Sequence, residues 1–179
     1  MCKEWLSGDR SPVKRSRYGF GAAIGLAAAG FLAHTAASLG QDDAKARAGL
    51  ELWKATGCAD CHGPFADGNN HNEEYPQGAN IRATRLDAAA LKQTISCGRP
   101  GTGMPSFDEG AYKLRPCYGD LPGAAPADLY PAPGSLTPDQ VDTVIAYLQA
   151  RIIGRGKVTR EECALYYDGF NSEACADFQ

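Results

Sequence analysis

The sequence predicts an all-α protein with long loops. Helical periodicity bounded by capping residues occurs in three stretches, and no stretch alternates apolar and polar residues as a half-buried strand would. The chain has 179 residues, 44% of them apolar and 22% charged, which is typical of a globular protein with one main domain. Its 21 glycines and 11 prolines are frequent between the helical stretches, where they predict irregular connections.

The first forty residues are typical of an export signal or a membrane anchor. Residues 1–17 carry five cations and two acids, whereas residues 18–40 carry no formal charge. A basic flank followed by an apolar run is the pattern of a signal peptide, and this run is just long enough to span a bilayer. We therefore expect residues 1–40 to be a cleaved signal or a single retained anchor. In both cases the rest of the chain faces the periplasm, where disulfides form.

The charge of the exported part excludes one class of partner. The whole chain has a formal charge of −3, but residues 41–179 hold thirteen of the 18 cations and nineteen of the 21 acids, a formal charge of −6. A nucleic-acid binder needs a basic stripe, so we expect no nucleic-acid partner.

The first helix is predicted over residues 44–57, close to the start of the exported part. Asp42 or Asp43 can cap its N-terminus, and Leu50 and Trp53 share one face. The glycine at the end of the stretch is a typical C-terminal stop.

The second helix is predicted between two loops. A polar loop over residues 63–84 precedes it, Asp87 caps it, and Gly98 ends it directly after Cys97. Residues 98–136 are rich in proline and glycine and are expected to be mostly loop.

The third helix has the clearest signal. Thr137–Gln140 form a capping box with proline at the first helical position, and Gly154 ends the helix. A second capping box, Thr159–Glu162, opens the C-terminal segment 157–179. The apolar stripe of the third helix consists of Val141, Val144, Ile145 and Leu148.

Two of the seven cysteines form a recognisable motif. Cys58 and Cys61 stand three positions apart and His62 follows directly, which is the C-x-x-C-H pattern of c-type haem attachment. Each thiol can add to one vinyl group, and the histidine meets the iron from one side. A zinc site would need a second close ligand pair, and a thioredoxin-like pair would need a βαβ unit; the sequence has neither. We predict one covalent haem c.

Met104 is the predicted second axial ligand. It is the only methionine after residue 1, and it lies in a loop rich in proline and glycine that can present a single side chain. Met/His ligation is the arrangement of electron-transfer haems. His71 is the rival ligand, but it follows His62 too closely to reach the opposite haem face. His34 lies in the export segment.

Four further cysteines are expected to form two disulfides. Cys97, Cys117, Cys163 and Cys175 allow three pairings. Pairing Cys97 with Cys117 and Cys163 with Cys175 is favoured because each bridge closes a modest loop. The first bridge would brace the methionine loop, and the second would close the C-terminal segment. Cys2 lies in the export segment and needs no partner.

The motif has a matching sequence context. Gly49 and Trp53 stand four residues apart in the first helix, Tyr147 lies in the third, and Arg99–Pro105 surround the predicted methionine ligand. On these residues, residues 43–155 resemble a class I cytochrome c, a small all-α carrier with one haem. The resemblance implies that the aromatic at 147 crosses the glycine at 49.

The resemblance departs from the family pattern at one place. The family often has Gly-Pro-x-Leu after the haem motif, where the proline carbonyl accepts the N–H of the ligating histidine. Here the corresponding stretch is Gly78–Ile81, so the carbonyl of Ala79 is expected to take that role.

The resemblance also implies a domain organisation. Three core helices around one covalent haem would form a cytochrome c domain over residues 41–156, with a disulfide-tied insertion at 106–136. The export segment 1–40 precedes this domain, and residues 157–179 form a C-terminal extension. The tyrosines of the insertion and the extension would either cover the haem or the core, or dock a partner.

The implied function is one-electron transfer without catalysis. We expect a periplasmic carrier, soluble or anchored to the inner membrane through residues 18–40, whose redox partners have a basic docking face. Two alternatives stay open at this point. One is an anchored haem subunit of a periplasmic dehydrogenase or respiratory complex; the other is a haem enzyme or gas sensor with an open sixth position.

Overall fold

A computed structural model describes residues 24–169 and 173–178 of the chain. These residues are helical with irregular connections, and within them only two isolated β-bridges occur outside the helices. The prediction of an all-α protein is confirmed. The helices are α1 Ile24–Ala55, α2 Cys58–His62, α3 Ala88–Cys97, α4 Pro138–Tyr147 and α5 Arg160–Tyr166, with a π-helical turn Leu148–Ile152 and a 3-10 turn Glu173–Cys175.

The chain divides between Ala37 and Ser38 into two compact units. Of the first unit, only residues 24–37 are described, and they are helical. The predicted export segment therefore lies in large part outside the described residues. Within the described ranges, no helix combines the length and apolar character needed to cross a bilayer.

The predicted start of the first helix was wrong. Helix α1 does not begin after Asp42 or Asp43 but passes through both without a break. The sequence on either side is rich in alanine, a strong helix former, and the glycine at position 40 does not interrupt the helix. The Asp43 carboxylate instead accepts a hydrogen bond from Arg47 at 3.1 Å and pairs with Arg151 of the π-helical turn.

The other predicted helix starts are confirmed. The Asp87 side chain accepts a hydrogen bond from the Ala90 N–H at 2.8 Å, which caps α3. Both capping boxes, Thr137–Gln140 and Thr159–Glu162, form with both of their hydrogen bonds. The third predicted helix ends its α-helical part at Tyr147 and continues as the π-helical turn.

Helices α1 and α4 cross at Gly49. A Cβ atom at this position would lie 2.6 Å from the Cβ of Tyr147 and would also meet the carbonyl oxygen of Thr143. Only glycine allows this approach. Trp53, one turn further along α1, is 2% exposed and packs its ring 6.2 Å from that of Tyr147. The pair expected from the family resemblance is therefore in contact.

Two disulfides tie the loops to the helices. Cys97 at the end of α3 is bonded to Cys117 in the 106–136 insertion, and Cys163 in α5 is bonded to Cys175. This is the pairing that the sequence favoured. Bridges that close loops of this length stabilise a fold by about 3 kcal/mol each in the chain-entropy model.

Candidate haem site

A single apolar cavity of about 330 Å³ brings the predicted haem-binding residues together. Cys58, Cys61, His62 and Met104 all line it, whereas His71 is exposed and does not. The volume falls within the range of small-molecule sites in proteins. The apolar part of the wall is contributed mainly by Leu91, Ile95, Phe107, Val144 and Leu148.

The motif occupies a short helix of its own rather than the end of the first helix. Gly57 separates α1 from α2 and adopts the left-handed conformation, with φ 78°. A Cβ at this position would also lie 2.8 Å from Cγ of Pro133. The break turns the chain so that Cys58 and Cys61, three residues apart on one helical turn, both line the cavity.

The two motif thiols differ from the other described cysteines because neither is in a disulfide. Burial raises the pKa of Cys58 to about 11, and burial also raises the pKa of Cys61. Both thiols are therefore protonated at neutral pH. Neither thiol therefore has the lowered pKa that is typical of a reactive redox cysteine.

His62 is held by the carbonyl that the sequence suggested. Its Nδ1–H donates to the carbonyl oxygen of Ala79 at 2.8 Å, since a carbonyl can only accept. This hydrogen bond fixes the tautomer and leaves Nε2 as the nitrogen able to bind a metal. Burial lowers the pKa of His62 despite the opposing effect of the Ala79 carbonyl, which favours the neutral imidazole that ligates iron.

Met104 lies in a loop that is held by hydrogen bonds between its own residues. The Arg99 N–H donates to the Met104 carbonyl at 2.9 Å, and the Met104 N–H donates to the Thr102 hydroxyl at 3.2 Å. A Cβ at Gly103 would lie 2.6 Å from Cγ of Pro76. These contacts fix the backbone on both sides of the methionine, whose side chain is half-buried against the core.

Trp53 adds a polar group that sequence reasoning did not identify. Its indole Nε1 is buried and has no hydrogen-bond partner within the described part of the chain, although the residue lines the cavity. Buried donors without a partner are uncommon in folded proteins. The unpaired donor fits a site that is completed by a bound group with polar atoms.

The insertion also contributes to the cavity. Tyr130 and Pro133 line it, together with Arg99 of the methionine loop. The aromatic and proline-rich composition of residues 106–136 was the available signal, but it did not distinguish a cavity wall from a docking surface. In the structure, Tyr130 forms part of the cavity wall.

Arg82 is a second residue that sequence reasoning missed. It is 5% exposed and donates to the carbonyls of Phe65 and Gly156, at 3.3 and 2.7 Å, and to the Glu162 carboxylate at 2.9 Å. It thereby joins the loop after the motif to the C-terminal extension. No local pattern around Arg82 indicates this, because its partners lie up to 80 residues away.

The residues present fit a haem. Two free thiols, an imidazole with one nitrogen available, a thioether and an unpaired indole N–H surround a mainly apolar cavity. This donor set matches thioether attachment and His/Met ligation of iron.

Comparison with known proteins agrees with this fit. Residues 44–113 match the family model described as cytochrome c oxidase, cbb3-type, subunit III. No curated protein and no solved structure gives a significant match. The matched range includes the motif, the Ala79 carbonyl and Met104. The match supports a c-type cytochrome domain over residues 44–113 and, with it, a haem-based role in electron transfer.

Proposed function

We propose that the protein is a periplasmic one-electron carrier with a class I cytochrome c fold and one covalent haem c. The observation that carries the proposal is the meeting of His62 and Met104 at the cavity that both motif thiols line. When bound, the haem supplies an iron that exchanges one electron without binding a substrate.

Each group of the chain has one task in this proposal. Cys58 and Cys61 hold the haem covalently, and the Ala79 carbonyl keeps the His62 ring in the orientation for ligation. Met104 would supply the second protein ligand to the iron and would favour a positive potential. The apolar wall excludes water. With His62 and Met104 both bound to the iron there would be no place for a substrate, so we propose a carrier rather than an enzyme.

The charge of the domain supports a type of partner. Residues 41–179 have a formal charge of −6, to which two haem propionates would add. A partner with a basic face would be attracted and oriented by this charge. Redox encounters of this kind use small interfaces and are transient.

A second candidate function is suggested by the name of the matched family model, which is that of an oxidase subunit. In this case residues 18–40 would be retained as an anchor, and the domain would be a haem subunit of a membrane complex. Extraction from membranes together with a stoichiometric partner would support the subunit, and recovery of the mature protein from the soluble periplasmic fraction would support the free carrier.

The ligand set is tested by replacing Met104. We expect Met104→Ala to abolish the far-red absorption band of methionine-ligated ferric haem and to let the ferrous protein bind CO rapidly. His71→Ala is the matched control and is expected to change neither property, because His71 lies outside the cavity. A wild-type protein that lacks the band and binds CO rapidly would contradict the carrier and favour a haem enzyme or gas sensor. Intact mass of the native protein reports the covalent haem and both disulfides.

A further inference from the structure

We propose that Tyr112 and Tyr118, both in the insertion, are positioning residues that hold Met104 at the haem. The inference rests on the proposed function, because it concerns the residue assigned there as the second axial ligand. Its structural basis is a set of contacts that joins the insertion to the end of α3.

The two tyrosine hydroxyls bind consecutive backbone carbonyls. The Tyr112 hydroxyl donates to the Cys97 carbonyl at 2.9 Å, and the Tyr118 hydroxyl donates to the Gly98 carbonyl. The last carbonyls of a helix have no partner within the helix, so the tyrosines cap the C-terminus of α3. The disulfide between Cys97 and Cys117 ties the same point covalently.

Both tyrosines adopt a backbone conformation that large side chains rarely use. Their φ angles are 63° for Tyr112 and 55° for Tyr118, in the left-handed region. Such residues persist where surrounding contacts determine them, and they concentrate at functional sites and ligand clamps. Here the left-handed conformation accompanies, at both positions, a side chain whose hydroxyl reaches the end of α3.

The capped carbonyls are directly connected to the methionine loop. Gly98 packs so closely on this loop that a Cβ would lie 2.8 Å from the Met104 carbonyl oxygen. The next residue, Arg99, donates its N–H to that same oxygen at 2.9 Å. On the other side of the methionine, the Ser106 hydroxyl donates to the Ser96 carbonyl at 2.7 Å. A shift of the backbone that the tyrosines hold would therefore move Met104 relative to the haem.

Removal of the hydroxyls alone tests this role. We expect Tyr112→Phe to raise the rate of CO binding to the ferrous haem protein about tenfold. CO binds only when Met104 has dissociated from the iron, and the variant lacks the buried hydroxyl that holds the methionine loop in place. Tyr118→Phe should raise the rate about threefold, since this residue is 46% exposed and water can replace its hydroxyl. The double variant should exceed either single variant.

Tyr167→Phe is the matched control. Tyr167 lies in the C-terminal extension and packs against Phe65, so loss of its hydroxyl should leave the CO rate unchanged. If the tyrosines had a purely structural role, the Phe variants would have a lower melting temperature. Their rate of CO binding, measured well below that temperature, would stay at the wild-type value. Tyr112 and Tyr118 variants that bind CO at the wild-type rate and retain the far-red band would overturn the proposal.

Hydrogen exchange of the Arg99 amide gives a second readout in the haem-loaded protein. This N–H is protected by the Met104 carbonyl, and its exchange should accelerate in the Phe variants by the same factors as CO binding. If the wild type lacks the far-red band, the Met104 ligation of the proposed function fails. The Arg99 exchange rate then still decides whether the tyrosines hold the loop, since unchanged exchange would refute the clamp by itself.

Discussion

The orientation of His62 is set by backbone atoms on one side of its ring. Its Nδ1–H donates to the Ala79 carbonyl, and Gly78 packs against the ring because it has no Cβ. The Gly78 N–H in turn donates to the Cys61 carbonyl at 2.8 Å, which ties the 78–79 segment to the motif helix. A side chain at 78 would therefore disturb the ring that we propose as an iron ligand.

We expect Gly78→Ala to reduce the yield of haem-loaded protein about tenfold, because disturbing the groups that orient a ligating histidine has effects of this size. The new Cβ would begin 2.6 Å from Nδ1 of His62, so the ring or the 78–80 backbone must shift. Gly123→Ala is the control, since a Cβ there meets nothing closer than 3.8 Å. Haem content per protein and the reduction potential measure the effect. Equal behaviour of the two variants would show that this contact does not position His62.

Sequence reasoning identified the residues whose chemistry is rare or local. Cys58, Cys61 and His62 are adjacent in a recognisable pattern, and Met104 is the one internal methionine; the structure places all four around one cavity. The unpaired indole of Trp53 could not be predicted in the same way. That an indole N–H lacks a partner depends on every element packed around it, and the sequence lists no such contacts.

At the level of elements, helix starts were predictable where one cap determines them. Asp87, Thr137 and Thr159 each bond to a backbone N–H three residues later, so the signal and the structure involve the same four residues. The predicted start of α1 was wrong because the capping preference of an aspartate competes there with the helix propensity of a long alanine-rich stretch. The helix propensity of the whole stretch outweighed one cap.

The C-terminal extension is attached through an ion pair that a conservative substitution can weaken. Glu162 accepts a hydrogen bond from Arg82, whose side chain is 4% exposed, and it also completes the capping box of α5. Phe65 packs on Tyr166 and Phe178 next to this pair, with ring centroids 5.8 and 5.2 Å apart. The extension is thus held to the loop that follows the haem motif by both a charged and an aromatic contact.

Glu162→Gln should lower the free energy of unfolding by about 1.5–3 kcal/mol, the range for hydrogen bonds to charged groups. The amide retains an oxygen for the capping box, so the expected loss comes mainly from the uncompensated Arg82 guanidinium. Glu161→Gln, on the exposed side of the same helical turn, is the control and should change stability less, because water can replace its contact with Thr159. Urea unfolding of the haem-loaded variants measures the difference. Identical midpoints would contradict a stabilising ion pair.

For the molecule as a whole, charge is the property that the sequence predicts without any structure. Residues 41–179 carry a formal charge of −6, and this value does not depend on how the chain folds. Where the charge lies relative to the haem depends on the fold. The cavity wall contains one exposed cation, Arg99, within an otherwise mainly uncharged lining.

Electron exchange with small charged complexes tests the effect of this charge. We expect the rate with cationic hexaammineruthenium to fall several-fold as ionic strength rises from about 0.01 M to about 0.15 M, because the screening length shortens from about 30 Å to about 8 Å. The rate with anionic ferricyanide should rise over the same range. Rates that respond to salt in the same direction for both complexes would contradict electrostatic attraction to the acidic domain.

The insertion 106–136 and the C-terminal extension 157–179 contact different parts of the site. The insertion reaches the methionine loop through the Cys97–Cys117 bridge, and the extension reaches the loop after His62 through Arg82. An electron moves faster than the surrounding atoms, so a site whose ligands shift with the charge of the iron must first reorganise. A donor set braced from both sides keeps nearly the same geometry in the two charge states. For the proposed carrier we therefore expect a small reorganisation energy, which would allow fast electron exchange at a small driving force.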